Sequence, residues 1–317
     1  MRLDIVKNSK STNVTNITGS LNLSTSIETL GASFTFNIAR NHYDPSLRFT
    51  DTLEPGDIVI LTNKKELFRG IIVTINTSKF SKTVECLDYC FYLNKNKVIK
   101  QFNEVRADTA IKQLLEEISA PIGQISKLTT LITKVYYSNT IAEIINDILE
   151  QVNAELGEKY KLEFIDNKFH ISPFKKITVN FRYKTTGNEN ITESIADMKN
   201  RILVTSNEQE STEILAIAED LKNIEKYGSL QEIINVDPDK DGAKVRNIAN
   251  KKLKELNKVS KTVSLEGFGN DEFRSGRVVT LNNKVLNIFG EFLIKSCVHT
   301  WKKGEHIVNL EVEKFEE

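Results

Sequence analysis

One stretch of this chain occurs twice, and that repeat limits the possible folds more than any other feature. Residues 56–75 read GDIVILTNKKELFRGIIVTI, and residues 276–295 read GRVVTLNNKVLNIFGEFLIK. Laid over one another without a gap, Gly56 falls on Gly276, Leu61 on Leu281, Asn63 on Asn283, Lys64 on Lys284 and Gly70 on Gly290. Ile58, Val59, Ile72 and Val73 fall on Val278, Val279, Phe292 and Leu293. Each copy is a glycine, an apolar β-prone run, an Asn/Lys turn and a glycine opening a second apolar run, which is the pattern of a β-hairpin. Gly56, Gly70, Gly276 and Gly290 are read as structural hairpin positions, since glycine reaches backbone conformations that strain other residues. A third strand follows in both copies, KTVECL at 82–87 and HIVNLE at 306–311. The expectation is one small β-domain, duplicated, with the rest of the chain inserted between and around the copies.

At 317 residues the chain is long for a single core, so two to four domains are expected. Lys+Arg and Asp+Glu both number 43, and this balance lacks the basic excess that dedicated nucleic-acid binders use against phosphate. The first twenty residues have no apolar core of signal-peptide length, and no window approaches the roughly 20 apolar residues that span a bilayer. Synthesis and retention in the cytosol, at least until assembly or lysis, are therefore expected. Cys86, Cys90 and Cys297 are too few for a disulfide framework. If Cys86 and Cys90 share a strand, they lie roughly 13 Å apart, beyond the ~7 Å that a disulfide bridges.

Along the chain, residues 1–102 read as all-β, with Ser33 to Ile38 alternating polar and apolar. The period changes in residues 103–185, an α+β module. Asp108 can cap a helix with Ile111, Leu114, Leu115 and Ile118 on one face. Thr140 and Glu143 form a capping box for a second helix that Gly157 ends, and Asp166-Asn167 turn a hairpin. Lys184 to Asn188 is a polar connector. Residues 186–217 and 258–317 are assigned to a second β-domain, whose strands include Asn200 to Val204 and Glu213 to Ala218, the latter also compatible with a helix. Residues 218–257 are a helical insertion with a helix near Ala243 to Asn257.

Candidate chemistry is sparse. Asp237-Pro238-Asp239-Lys240-Asp241-Gly242 has half the ligand spacing of a calcium loop, but the twelfth position is Ile248 rather than glutamate. A solvated loop with Asp241 capping the next helix is the simpler reading. Cys297, His299 and His306 suggest zinc only weakly, because a fourth ligand is missing. A buried cysteine with edge histidines near Trp301 suffices. No G-x-S-x-G, H-E-x-x-H, P-loop or Rossmann glycine run is present. Phe268 to Gly276 reads as a loop, and Glu143 and Glu163 as a cap and a strand face. No catalytic, cofactor or metal residue is assigned.

The order and spacing of several segments resemble the baseplate hub proteins of contractile phage tails and phage tail-like particles, in particular the XkdQ-like and late control protein D-like hubs. The segments are Leu53-Glu54-Pro55-Gly56-Asp57, Leu67-Phe68-Arg69-Gly70, Cys86-Leu87-Asp88-Tyr89 with Phe91-Tyr92-Leu93, Met198-Lys199-Asn200-Arg201-Ile202, Ile224 to Gln231, and Ser296-Cys297-Val298-His299 through His306. The resemblance spans nearly the whole chain. It implies a β-rich α+β fold with two duplicated tail-tube-like β-barrel domains and inserted small α+β modules. It further implies a homotrimer whose six barrels form a pseudo-hexameric ring around a channel lined by polar or acidic residues that do not grip DNA. The implied partners are a tail tube or tube-initiator protein, a trimeric spike and other baseplate proteins, with no specific nucleic-acid binding. The role implied is structural rather than enzymatic, in a virion, a prophage or a DNA-free bacteriocin-like particle (a tailocin). Some relatives carry a fused peptidoglycan hydrolase or LysM module, and this sequence offers no stretch for one. Two alternatives are a tail-associated cell-wall hydrolase and a monomeric adhesin-like binding module.

Overall fold

The computed structural model describes residues 1–177, 180–184, 189–206, 213–236 and 242–315, and divides into two compact units: residues 1–190 with 264–317, and residues 191–263.

The larger unit begins with seven strands: β1 (Arg2–Lys7), β2 (Lys10–Asn13), β3 (Thr18–Ser26), β4 (Ala32–Ala39), β5 (Ile58–Asn63), β6 (Lys65–Thr77) and β7 (Ser81–Asp88). The alternation read in residues 33–38 is strand β4, whose Phe34, Phe36 and Ile38 are fully buried. A middle module follows, made of α1 (Cys90–Lys95), β8 (Lys97–Arg106), α2 (Ala107–Glu117), β9 (Ile122–Ile125), β10 (Leu131–Thr140), α3 (Ile141–Leu156), β11 (Tyr160–Ile165), β12 (Lys168–Pro173) and the short β13 (Lys175–Lys176). Helix α3 carries the expected capping box, with Thr140 accepting from the Glu143 amide and Glu143 accepting from the Thr140 amide. Gly157 closes it in a left-handed conformation. Asp166 and Asn167, both at positive φ, turn the β11–β12 hairpin. Asp108 does not cap α2. The helix starts at Ala107 with Arg106 at the cap position, and the buried Asp108 in its first turn accepts from Arg106.

The expected end of the first β-domain at residue 102 also shifts. Cys90, Leu93 and Phe102 are buried in the core of the middle module, together with Ile111, Leu114, Ile144, Ile145 and Ile148. Cys86 and Cys90 do not share a strand, because the chain turns from β7 into α1 between them, where Asp88 accepts from the Cys90 amide.

The smaller unit contains β14 (Asn190–Ser194), β15 (Arg201–Ser206), β16 (Ile214–Glu219), α4 (Leu221–Tyr227), β17 (Gln231–Val236) and α5 (Gly242–Leu256), and includes the first part of β18 (Ser260–Phe268). Strands β15 and β16, assigned from sequence to the second β-domain, pair instead with β17 in a sheet of their own, order β16-β15-β17. Helix α5 covers one face of that sheet, with Val245 and Ala249 buried against Ile202, Val204, Ala216 and Ala218. The candidate calcium loop, Asp237 to Asp241, and residues 185–188 of the polar connector lie outside the described residues.

The chain returns to the larger unit through the second part of β18, then β19 (Arg277–Asn283), β20 (Ile288–Lys302) and β21 (Glu305–Lys314). Here the sheet runs β18-β21-β20-β3-β4-β7-β6-β5-β1-β2, with β19 against β20 and β13 beside β19. The neighbour order β4-β7-β6-β5-β1 is matched by β18-β21-β20-β19-β13. Strand β3 joins the two sets by pairing with both β4 and β20. Among the described residues this is one open path, and neither half closes into a barrel.

The two hairpins differ in register. Val59 faces Gly70 and Leu61 faces Phe68, whereas Leu281 faces Gly290. Residues 284–287 make the second turn longer, so the pairing is displaced by two positions and Phe292, not Gly290, occupies the place of Gly70. An even displacement leaves each side chain on its original face. The glycines therefore serve different ends. A Cβ on Gly70 would lie 2.2 Å from the Leu87 carbonyl oxygen, so close strand approach demands glycine there. Gly290 has open space around it but a φ of +108°, so its backbone is the reason. Gly56 and Gly276 also have positive φ, +97° and +74°.

Candidate functional site

A dense polar junction in the larger unit is built on residues 269–276, the segment between β18 and β19 that reads from sequence as a loop. Its residues reach three separate parts of the fold. Toward the first hairpin, Asn63 donates to Asp271 Oδ2 at 2.8 Å, Lys65 Nζ meets Glu272 at 2.6 Å, and Arg274 donates to the Leu67 carbonyl. Toward β3, the Ser275 amide donates to Thr25 Oγ1 at 3.1 Å. Toward β11, Lys161 donates to the Ser275 carbonyl at 3.1 Å and to its hydroxyl. Next along the chain, Arg277 donates to Glu163 Oε2 at 2.7 Å.

The Lys65–Glu272 pair lies in solvent, whereas Lys161, Glu163 and Arg277 are largely withdrawn from water. Burial lowers the Lys161 ammonium to about 8 despite the Glu163 carboxylate nearby. Burial also pushes the Glu163 carboxyl up, but Arg277 and Lys161 together outweigh it and hold Glu163 below the usual range. Asp88 accepts from the Ala32 and Cys90 amides at 2.7 and 2.9 Å, yet its burial raises it to about 6. A buried ion pair survives only where geometry and extra hydrogen bonds offset desolvation. Lys161 and Glu163 have those partners.

The three candidate zinc ligands do come together, in a hydrogen-bonded chain. His299 Nε2 lies 2.8 Å from the Phe273 carbonyl, which can only accept, so Nε2 carries the proton and Nδ1 is bare. His306 Nε2, 2.9 Å from that bare nitrogen, must then donate. Cys297 Sγ is 3.3 Å from His299 Nε2, and Trp301 stacks on both histidines with ring centroids 5.3 and 4.5 Å away. Burial lowers His299 to about 4, opposed by the Phe273 carbonyl. Both faces of this cluster serve residues 269–276: His306 accepts from the Gly269 amide through its carbonyl, and its Nδ1 is 4.0 Å from Asp271 Oδ1. Among the described residues, no group of three or more His, Cys, Asp or Glu side chains is arranged to hold a metal ion.

A cleft of about 190 Å³ opens beside this junction, lined by Lys65, Glu66, Ile165, Asp166, Asp271, Glu272, Arg274 and Arg277. Lys161 beside Ser275 is a pairing that some hydrolases use, but Ser275 is wholly buried and no substrate carbonyl could reach it. Glu143 belongs to its helix cap and Glu163 to Arg277. The chemistry of the junction is mechanical: it ties both hairpins and the middle module to one segment. Lys161, Asp271, Arg274, Ser275 and Arg277 escape a sequence reading, which had only the crowding of polar residues in GNDEFRSGR to go on.

Comparison with known proteins places this geometry in context. The model of the YQBQ-like family matches residues 21–313. The phage-like element PBSX protein XkdQ of Bacillus subtilis (strain 168) is 26% identical over 269 residues, covering 82% of each chain. The 43 kDa tail protein of prophage MuSo2 from Shewanella oneidensis superposes with a TM-score of 0.71 at 10% identity, over 98% of both chains. The Escherichia coli c3393 protein superposes with a TM-score of 0.57 at 9% identity, over 95% of this chain and 74% of that one. It is described as a component of the type VI secretion system with structural similarity to the T4 tail proteins gp27 and gp5.

Proposed function

This chain belongs to the YQBQ-like family and is a structural phage tail or baseplate protein, a virion component whose relatives are tail proteins and not enzymes; from that premise we propose that it is the baseplate hub. Three copies would close into a ring, each contributing two β-domains derived from one duplicated tail-tube-like module. The ring would join the tail tube, or a tube-initiator protein, to a trimeric spike. Among the described residues, no helix is long and apolar enough to cross a membrane.

The observation that carries the reading is the β3–β20 contact. Two sets of strands with the same neighbour order meet edge to edge, through six register pairs from Ser296↔Ser26 to Trp301↔Leu21. A motif that already pairs laterally with its own copy is suited to a closed rotational assembly, which avoids open-ended growth. The rigid tethering by residues 269–276 supports the same role, since a conduit under mechanical load needs its domains fixed. The similarity of c3393 to gp27 and gp5 supports a spike as partner.

Solution mass by light scattering coupled to size exclusion tests the proposal, on the chain alone and with the spike protein of the same particle. A species of three times 36.0 kDa, alone or once spike is added, is expected. A monomer under both conditions would overturn the ring and favour a monomeric binding module.

A further inference from the structure

Strand β20 is flanked by β21 on one side from Phe292 onward. Its other side is lined by two strands in succession, β19 as far as Leu293 and then β3 from Ser296 to Trp301. Strand β6 follows the same course at first, with β7 on one side and β5 on the other as far as Ile71. Both long strands carry a register shift at the same point, between Ile72 and Thr74 in β6 and between Ile294 and Ser296 in β20. Aligned on that shift, residues 74–77 correspond to residues 296–299. In β20 those positions hold β3. In β6 they pair with β7 on one side, and among the described residues no strand lies along the other.

We propose that this open edge of β6 is the seat for a β-strand of a second copy of the chain. The inference rests on the ring reading and names the contact that would build it. The same correspondence identifies the incoming strand. Strand β3 is hydrogen-bonded to β4, the neighbour of β7, and β14 is hydrogen-bonded to β18, the neighbour of β21. Thus β14 of one copy pairs with β6 of the next as β3 pairs with β20 within a copy. The two surfaces differ, so the contact is head-to-tail and closes where the rotation allows. In a ring of three chains, in-chain and between-chain junctions alternate.

The edge itself is composed for pairing. Soluble proteins shield exposed strand edges with charges, proline or bulges. Residues 73–77 read Val-Thr-Ile-Asn-Thr, uncharged and β-prone, without proline. Ile75, at the position of Cys297, is only half-buried against its core, whereas Cys297 is wholly buried with β3 alongside. An added strand would cover Ile75 in the same way.

Hydrogen–deuterium exchange read by mass spectrometry on the full chain tests this, comparing trimer with monomer separated by size exclusion, with spike protein added if trimer forms only then. Amides in residues 73–77 and 190–194 should exchange at least tenfold more slowly in the trimer. A trimer in which residues 73–77 exchange as in the monomer overturns this contact and leaves the ring standing. A chain that stays monomeric throughout overturns both. A Thr77→Pro variant, checked for a native far-ultraviolet spectrum, should lose the trimer, because the Thr77 amide faces the open edge while that of Ser78 bonds across to Ser81, and proline blocks an edge strand. A folded Thr77→Pro protein that trimerises like the parent also overturns the contact.

Discussion

Arg277, the first residue of β19, holds Glu163 of β11 at 2.7 Å with both side chains almost shut off from solvent, 13% and 8% exposed. Removing one member of such a pair costs roughly 3–5 kcal/mol where the other is left alone, and Glu163 without Arg277 keeps only Lys161, 4.0 Å away. Arg277→Ala should therefore destabilise the chain by that amount in urea unfolding. The double variant Glu163→Met/Arg277→Met should recover part of the loss, since Lys161 then keeps only its bonds to Ser275. Equal destabilisation of single and double variants would show that the pair contributes more than the absence of a buried charge.

Gly70 and Gly290 occupy matched places in the sequence repeat but unlike places in the sheet, and alanine should tell them apart. At Gly70 the new Cβ meets the Leu87 backbone, which cannot swing away, and overpacking of this kind costs about 2–3 kcal/mol. At Gly290 only backbone strain opposes alanine, about 1 kcal/mol. Thermal unfolding of Gly70→Ala and Gly290→Ala measures the difference directly. Identical shifts would contradict the register described above.

Acid should reveal two buried groups of opposite sign. His299 is lowered to about 4 from an ordinary 6.5, chiefly by burial, so the unfolded chain takes up its proton first and stability falls as pH drops from 6.5 to 4. Asp88 is raised to about 6, again by burial, so its contribution is full below 3.8 and is lost as pH rises through 6. Each effect amounts to about 3 kcal/mol and the two oppose one another in the same window. Between pH 4 and 6, Asp88→Asn should steepen the loss of stability on acidification, and His299→Phe should reverse or flatten it. Urea midpoints measured across pH for the three proteins decide the matter.

All three thiols are buried, and burial raises Cys86, Cys90 and Cys297 above their ordinary value. Only the thiolate is reactive. A thiol-specific colorimetric reagent should thus label none of them in the native chain and all three after unfolding. Rapid native labelling of Cys297 would mean that residues 269–276 lift away from it.

The parts legible in the sequence are those whose signals are local. The capping box of Thr140 and Glu143, the αL glycine at residue 157 and the Asp166-Asn167 turn each write their geometry within a few residues. The hairpin repeat was legible too, but not its pairing. An ungapped match of Gly70 with Gly290 hides the longer second turn, and only the register exposes it. Strands β15 and β16 read correctly as strands and wrongly as members of the second β-domain, because pairing partners are set by distant residues such as those of β17. The junction was hidden for the same reason. Asp271 meets Asn63, Arg274 meets Leu67 and Ser275 meets Thr25, and no local pattern in GNDEFRSGR names a partner that far away.

The pairing of β3 with β20 also sets an order of events during synthesis. Ser26 is added to the chain 270 residues before its partner Ser296, an interval on the order of tens of seconds at translation speeds of about 5–20 residues per second. Until then the outer edge of β3 is an unpaired strand on an otherwise formed sheet, open to any neighbouring chain. A nascent chain that stops short of β20 is thus a hazard that a chain carrying β20 is not. Residues 296–301 are the ones that retire it.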